Sequence, residues 1–346
     1  MEFADRIDSA FAPAAAAVEA GLIPGAVLGV IDRGGRRAVR HAGWATLVPG
    51  REPVTAGTWF DLASLTKPIF TTTAILRLWR AGRLDLDTRL AALIPDLRQY
   101  DVANAPERRL TVRQCLAHRT HLPAVEPIYT YGSDPQTLRA FVLQRAWRAV
   151  AEPVYSDINF ILLGIAIERL TGMPLAAQPV PAGLSFEPVP EECAATEHCM
   201  WRGRMLRGEV HDENAFALGG AAGHAGLFGT IDGVLDFAQG VLTGDGWTDA
   251  ELDAITQPAG ARRTLGWEHR HDGWSGGALC SPRTIGHLGF TGTGLWIDRT
   301  AGVAWSLLTN RVHPTRHRDT GIMQVRRQTG EALYGWPLDS RPSAAG

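Results

Sequence analysis

The sequence predicts an α/β (α+β) fold, an antiparallel sheet flanked by helices with an all-helical lobe inserted. Three observations predict it. A helix pattern and a hairpin pattern open the chain, strand patterns return only near its end, and the stretch between them reads as helix and loop. Both chain ends therefore build one sheet. Residues 1–84 and 225–336 form the sheet lobe, 85–224 the helical lobe with loops, and 337–346 a disordered tail.

Residues 1–20 carry Phe3, Ile7, Phe11 and Val18 at helical spacing, and Pro24 to Ile31 is an apolar, β-branched run. Arg33-Gly34-Gly35-Arg36 is a turn signal, with a second strand over Ala38 to Ala45. Ser64 opens a helical pattern through Ile69, Ala74, Ile75 and Leu78 that stops at Gly82. Thr111 caps a short helix, and Asp134-Pro135 starts one reaching Trp147. Asp157 begins another, Ile158 to Leu170, closed by Gly172. Pro174 to Pro190 reads as loop, and Gly219 to Gly229 is too glycine-dense for helix. Ile285 to Ile297 reads as strand, followed by a turn, a strand over Val303 to Thr309, and a helix near Gly321 to Leu333.

The composition excludes several functions. The 34 basic and 36 acidic side chains nearly cancel, so no net field favours nucleic acid or an anionic membrane. No apolar run approaches a membrane span. Met-Glu-Phe-Ala-Asp-Arg lacks a basic n-region followed by an apolar stretch, which predicts a cytoplasmic protein. Cys115, Cys193, Cys199 and Cys280 are too few for a disulfide framework in a chain of 346 residues.

Lysine usage is more informative. Of the 34 basic residues, the only lysine is Lys67, three residues after Ser64. Arginine serves surface charge equally well but does not deprotonate at usable pH. Serine is a weak nucleophile until a base takes its proton, and residues i and i+3 share a helix face, so Ser64 and Lys67 come within reach. A helix start favours an oxyanion at Ser64, and burial among Phe60, Leu62, Pro68 and Phe70 pushes Lys67 toward a neutral amine able to act as base. Ten serines give a chance coincidence of about 3% for the one lysine.

Asp61-Leu62-Ala63-Ser64-Leu65-Thr66-Lys67-Pro68 resembles the first motif of the serine β-lactamase and penicillin-binding-protein superfamily, closest to class C β-lactamases and related intracellular esterases and transacylases. The likeness continues. Cys115 to Pro123 resembles a Leu-Leu-Thr-His-Thr-Ser-Gly-Leu segment, and Tyr155-Ser156-Asp157 resembles the Tyr-x-Asn second motif. Gly220 to Phe228 resembles the family's glycine-rich segment, and Gly286-His287-Leu288-Gly289-Phe290 stands where Lys-Thr-Gly or His-Thr-Gly is expected. The resemblance implies that Ser64 attacks an acyl carbonyl while Lys67 and Tyr155 share the proton traffic. It implies an oxyanion hole from the N–H groups of Ser64 and Phe290, the latter on the third-motif strand. Gly289, Asp157 and His287 would line the substrate side, with His287 offering a cation or donor. The implied protein is a serine hydrolase of a small ester or amide, without metal or cofactor. Acyl transfer to an alcohol or amine, and a catalytically weakened binding relative, are the alternatives.

Two departures carry consequences. An ionised Asp157, in place of asparagine, would favour the Lys67 ammonium; either it points elsewhere, capping its own helix, or Tyr155 carries more of the base role. His287 and Leu288 replace the lysine and threonine that help hold a β-lactam carboxylate, which argues against efficient β-lactam binding, as does the expected cytoplasmic location.

Other motifs read as structural. Gly273-Trp274-Ser275-Gly276-Gly277 fits the nucleophile-elbow pattern but lies in polar sequence without the required strand. Cys193, Glu197, His198 and Cys199 match no common zinc spacing. His211-Asp212-Glu213-Asn214 reads as a loop bracing the site, and His224 as a brace for backbone turns. Trp147, Trp201 and Trp296 are candidates for lining an apolar acyl pocket.

Overall fold

The computed structural model describes residues 3–335; the tail expected at 337–346 lies outside them. The main sheet has seven strands, ordered β3-β2-β1-β12-β11-β10-β9: β1 (Gly25–Asp32), β2 (Arg37–Thr46), β3 (Glu52–Pro53), β9 (Glu268–His269), β10 (Ile285–Leu288), β11 (Gly294–Asp298) and β12 (Val303–Thr309). Its central pair joins the two ends of the chain: β1 runs antiparallel to β12 from Ala26↔Thr309 to Asp32↔Val303. A small sheet orders β4 (Phe60–Asp61), β8 (Phe228–Gly229) and β5 (Leu184–Ser185), and β6 (Ala195–Cys199) pairs with β7 (Arg204–Arg207).

Ten α-helices occur among the described residues: α1 (Phe3–Glu19), α2 (Thr73–Arg80), α3 (Leu90–Leu93), α4 (Val112–Leu116), α5 (Pro135–Gln144), α6 (Asp157–Thr171), α7 (Glu213–Ala217), α8 (Ile231–Thr243), α9 (Asp249–Thr256) and α10 (Ile322–Tyr334). β1 is buried on both faces, as a strand between helical layers must be. Ala26, Leu28 and Val30 join the core under α1 and α10, while Val27 and Ile31 face the larger core that includes α8. Gly29 permits that second contact, because a Cβ there would lie 2.5 Å from Ile231 Cγ1. Trp296 and Trp305, paired across β11 and β12, stack 3.9 Å apart. No helix among the described residues is long and apolar enough to cross a membrane.

Four expectations need correction. The segment at Ser64 is not one continuous helix: a 3-10 turn at Ala63–Leu65 and a π-helical stretch at Lys67–Thr72 precede α2. Pro68 has no N–H to donate, and the hydroxyls of Thr72 and Thr73 satisfy the carbonyls of Lys67 (2.8 Å) and Pro68 (3.1 Å). The helix from Asp134 ends at Gln144 rather than Trp147, with Arg145 extended. The run Ile285 to Ile297 is two strands, because a turn at the glycine-rich residues 289–293 folds β11 back on β10. Asp157 does not cap its helix; Ser156 occupies the N-cap position.

Candidate active site

Asp61 lies next to the turn that carries Ser64 and fixes it. Its carboxylate accepts N–H bonds from Ala63 (2.7 Å) and His211 (2.6 Å). Ala63 sits at φ 47°, a left-handed conformation strained for a residue with a Cβ, and it presents Ser64 immediately after. Thr66 closes the turn: its hydroxyl donates to Ala63 O (2.7 Å) and accepts from Leu227 N (3.1 Å).

Lys67 is fully buried. Its Nζ lies 2.8 Å from Ser64 Oγ, 3.1 Å from the His224 carbonyl and 2.8 Å from Asp157 Oδ1, the last an ion pair rather than a well-aligned hydrogen bond. Tyr155 lies beside both groups, with Lys67 Nζ 4.8 Å from its ring centroid and Ser64 on the same cleft wall. The His224 carbonyl reaches Lys67 because two glycines let α6 and the 219–229 segment touch backbone to backbone. A Cβ on Gly223 would lie 2.0 Å from Phe160 O, and one on Gly164 2.8 Å from Gly223 N. Thr71 Oγ1 fastens the same segment by donating to Gly223 O at 2.6 Å.

The electrostatics differ from the sequence expectation. Burial pulls the Lys67 pKa down, but the Asp157 carboxylate and Tyr155 more than offset it, so it lies above the ordinary lysine value. Lys67 therefore rests as an ammonium, not as a neutral amine. Burial, aided by Asp157, holds Tyr155 above the usual phenol range, so it rests protonated.

The opposite wall is β10 and the turn after it. His287 Nδ1 lies 3.0 Å from Leu288 O, which can only accept, so Nδ1 carries the proton and the unpartnered Nε2 is an acceptor. Burial, reinforced by Arg263 and Lys67, drives the His287 pKa far below its ordinary value, so the ring offers neither the cation nor the donor expected of it. Phe290 lies in the turn, not on the strand, with its ring half-exposed between His211, stacked at 5.6 Å, and Arg311 at 4.7 Å. Thr291 Oγ1 donates to Asp61 O (2.7 Å) and Thr293 Oγ1 to Leu62 O (3.1 Å), pinning this turn to the residues preceding Ser64. Gly289 has no room for a Cβ, which would lie 2.5 Å from Leu62 O. Between the walls lies a cleft of about 760 Å³, lined by Ser64, Tyr155, Asp157, Asp212, Arg263 and His287 among others.

The structure thus gathers Ser64, Lys67, Tyr155, Asp157, His287, Gly289 and Phe290 around one cleft. Sequence reasoning missed Thr291, Thr293 and several partners. His118 packs its ring 4.5 Å from Tyr155 and takes the Ser156 N–H on Nδ1 (3.0 Å). Arg263 covers the Tyr155 ring at 4.9 Å. Arg326 donates to Thr293 O (2.7 Å) and Gly289 O (3.3 Å) from α10. The histidine in the Cys115–Pro123 segment and the Thr-Gly-Thr at 291–293 were signals for the first three; nothing local marks Arg263 or Arg326.

The bracing segment behaves as expected. His224 Nε2 pairs with Asp212 Oδ1 at 2.9 Å, and Asp212 caps α7 through Ala215 N. Burial raises the Asp212 carboxyl, but His224, the Ala215 N–H and Lys67 outweigh it and hold the group well below the carboxylate range. His211 Nε2 lies 3.0 Å from Glu197, which also takes Arg316 N (2.9 Å) and Nε (2.6 Å). Ser275 of the elbow-like motif accepts from Trp296 Nε1 in a turn. Cys193 and Cys199 are buried while His198 points outward, and among the described residues no group of three metal-ligating side chains is placed to hold an ion. Trp296 belongs to the core, not to the cleft.

The Beta-lactamase family model matches residues 11–329. The chain belongs to the Beta-lactamase family. This family member is 31% identical to a putative D-alanyl-D-alanine carboxypeptidase of Escherichia coli K12, over 82% of its own length and 77% of the relative's. It is also 31% identical to an N-acetylmuramyl-L-alanine amidase of Bacillus subtilis, over 84% and 78%. Solved structures share the family member's fold. Unliganded simvastatin synthase of Aspergillus terreus superposes with a TM-score of 0.73 at 21% identity, covering 98% of this chain and 100% of that one. A β-lactamase from Sulfitobacter sp. EE-36 gives 0.73 at 21%, covering 96% and 98%.

Proposed function

We propose that the protein is a serine acyl hydrolase that cleaves a small amide through an ester at Ser64. The observation that carries the reading is the Ser64 hydroxyl 2.8 Å from the buried Lys67 amine, with Tyr155 beside them, on the wall of an open cleft. Ser64 Oγ attacks the carbonyl carbon. The Ser64 and Phe290 N–H groups, neither taken by a protein acceptor among the described residues, receive the oxyanion. Tyr155 stands where it can protonate the leaving nitrogen, and water then releases the acyl group.

Two arguments favour an amide over an apolar ester. Both relatives at 31% identity bear the names of amide-cleaving enzymes. The cleft is lined by Asp212, Arg263, Glu268, His271 and Arg311 beside Trp274, Leu288, Ile322 and Met323, which suits an amino-acid or aminosugar fragment with charged and apolar parts better than a bare hydrocarbon chain. Its charged groups and open mouth admit water, which favours hydrolysis over transfer.

Incubation with N-acetylmuramyl-L-alanine and with a D-alanyl-D-alanine peptide, followed by mass analysis of products, tests the substrate class. Release of a free amine from either, lost in Ser64→Ala, is the expected result. Turnover of p-nitrophenyl esters alone would leave the enzyme an esterase.

A further inference from the structure

Lys67 Nζ has three oxygens around it: hydrogen-bond partners Ser64 Oγ at 2.8 Å and His224 O at 3.1 Å, and the ion-paired Asp157 Oδ1 at 2.8 Å. A neutral amine in that position could accept the Ser64 hydroxyl proton, but it would leave the Asp157 carboxylate 2.8 Å away without its counter-ion. The adjacent carboxylate keeps Lys67 a cation, and a cation can take the Ser64 proton only by releasing one of its own. Of the groups touching Nζ, a peptide carbonyl and a protonated phenol are not bases. A carboxylate is.

We propose that Asp157 is the terminal proton acceptor when Ser64 is acylated, with Lys67 as the relay. This rests on the Ser64 reading above. As the Ser64 Oγ–C bond forms, the hydroxyl proton passes to Nζ while an Nζ proton passes to Asp157 Oδ1. When the adduct collapses, the C–N bond breaks and the leaving nitrogen takes the Tyr155 proton. Lys67 refills the phenol, and Asp157 returns its proton to Lys67, so each group ends as it began. Deacylation by water runs the same path.

The local construction suits this traffic. The Asp157 backbone N–H is tied to Ala124 O at 2.9 Å, which leaves the side chain to face Lys67 at the cleft wall. The other charged or titratable groups facing the pair are Tyr155, Arg263 over its ring, the neutral His118 and His287, and Asp212, already paired with His224. None of these offers a free base at Nζ.

The test is the rate of Ser64 phosphonylation by a fluorophosphonate, followed by intact mass across pH in the wild type, Asp157→Asn and Ser64→Ala. A carboxylate acceptor titrates in the acid range and a lysine near pH ~10. The wild-type rate should be flat from about pH 6 to 10, because the acceptor is a carboxylate. Asp157→Asn removes it and leaves Lys67 as its own base, so the acid limb should move up and the rate at pH 6 should fall tenfold or more, roughly tenfold per unit of that movement. If Lys67 is itself the base and Asp157 merely holds it charged, the limb moves down and the variant is faster at pH 6; that result overturns the relay. A wild-type rate climbing about tenfold per pH unit through the same window overturns it as well, even where the variant fails to fold. No labelling of Ser64 in the wild type would instead remove the acyl-serine reading on which the relay stands.

Discussion

The Ser64 turn and the β10 wall facing it differ in how their polar groups are paired. Around Ser64, the side chains of Asp61, Thr66, Lys67, Thr71, Thr72 and Thr73 all find partners, most of them backbone. On that side Asp157 Oδ1 and the His224 ring are at least held in ion pairs, with Lys67 and Asp212, whereas across the cleft His287 Nε2 and Arg326 Nε are buried without hydrogen bond or counter-ion. Arg326 is nearly inaccessible and among the described residues pairs with no carboxylate; burial, with Arg311 nearby, lowers it to about 9. Unpaired buried polar groups are expensive and persist where something else completes them. The paired side is built to hold a geometry, and the unpaired side to receive a ligand.

The largest effects should come from the paired side. Ser64→Ala removes the oxygen proposed to carry the acyl group, and turnover of the proposed amide should fall by more than about 10⁴-fold. Lys67→Arg keeps the cation and its attraction for Asp157 but cannot pass a proton at usable pH, so kcat should fall by about 10²–10⁴-fold while the chain stays folded. Normal turnover in a folded Arg variant, checked by thermal melting, would make Lys67 a mere counter-ion and end the distinction between the walls.

How much of this was legible in the sequence follows from how local each feature is. Ser64 and Lys67 lie one helical turn apart, so their meeting is set by backbone geometry alone, and the lone lysine advertised it. Tyr155 and His287 were reached only through family likeness, because nothing local says which distant segments pack on Ser64. The protonation of Lys67 was misread for the same reason. Burial argued for a neutral amine, and the deciding charge came from Asp157, 90 residues away in sequence and only 2.8 Å in space. The helices α8 and α9 went unrecognised although Thr230 caps one and Thr248 forms a capping box on the other. Gly233 inside α8 masks the pattern, and its reason is tertiary: a Cβ there would lie 2.4 Å from Gly183 O. The turn after β10 was read as strand because its pins, Thr291 and Thr293, bond to carbonyls more than 200 residues earlier.

A stability prediction concerns the brace behind the unpaired wall. Burial raises the Glu197 carboxyl, but His211 and two donors from Arg316 outweigh it and bring the group to about 2, below its ordinary 4.5. A pKa depressed on folding adds stability that is complete above the unfolded value and is lost as pH falls from about 4.5 toward 2. At about 1.4 kcal/mol per unit the loss is at most about 3.5 kcal/mol. The melting temperature should drop through that window, and Glu197→Gln should flatten this part of the curve. Because His211 stacks on Phe290 and Arg316 also lies over its ring, turnover should decline with the brace before global unfolding.

The smallest effect separates the walls most sharply. With its Nδ1 proton committed to Leu288 O and its pKa far below the ordinary value, His287 presents a lone pair to the cleft throughout the neutral range. That lone pair can accept one substrate N–H or O–H, a neutral hydrogen bond worth about 0.5–1.5 kcal/mol. His287→Leu should therefore raise KM by up to about tenfold and leave kcat nearly unchanged, since the bond is as strong with substrate as with the transition state. A fall in kcat comparable to that of Lys67→Arg, with KM unmoved, would place His287 in the proton path and erase the contrast. A KM shift alone would mark β10 as a surface that selects the substrate and leaves the chemistry to the Ser64 turn.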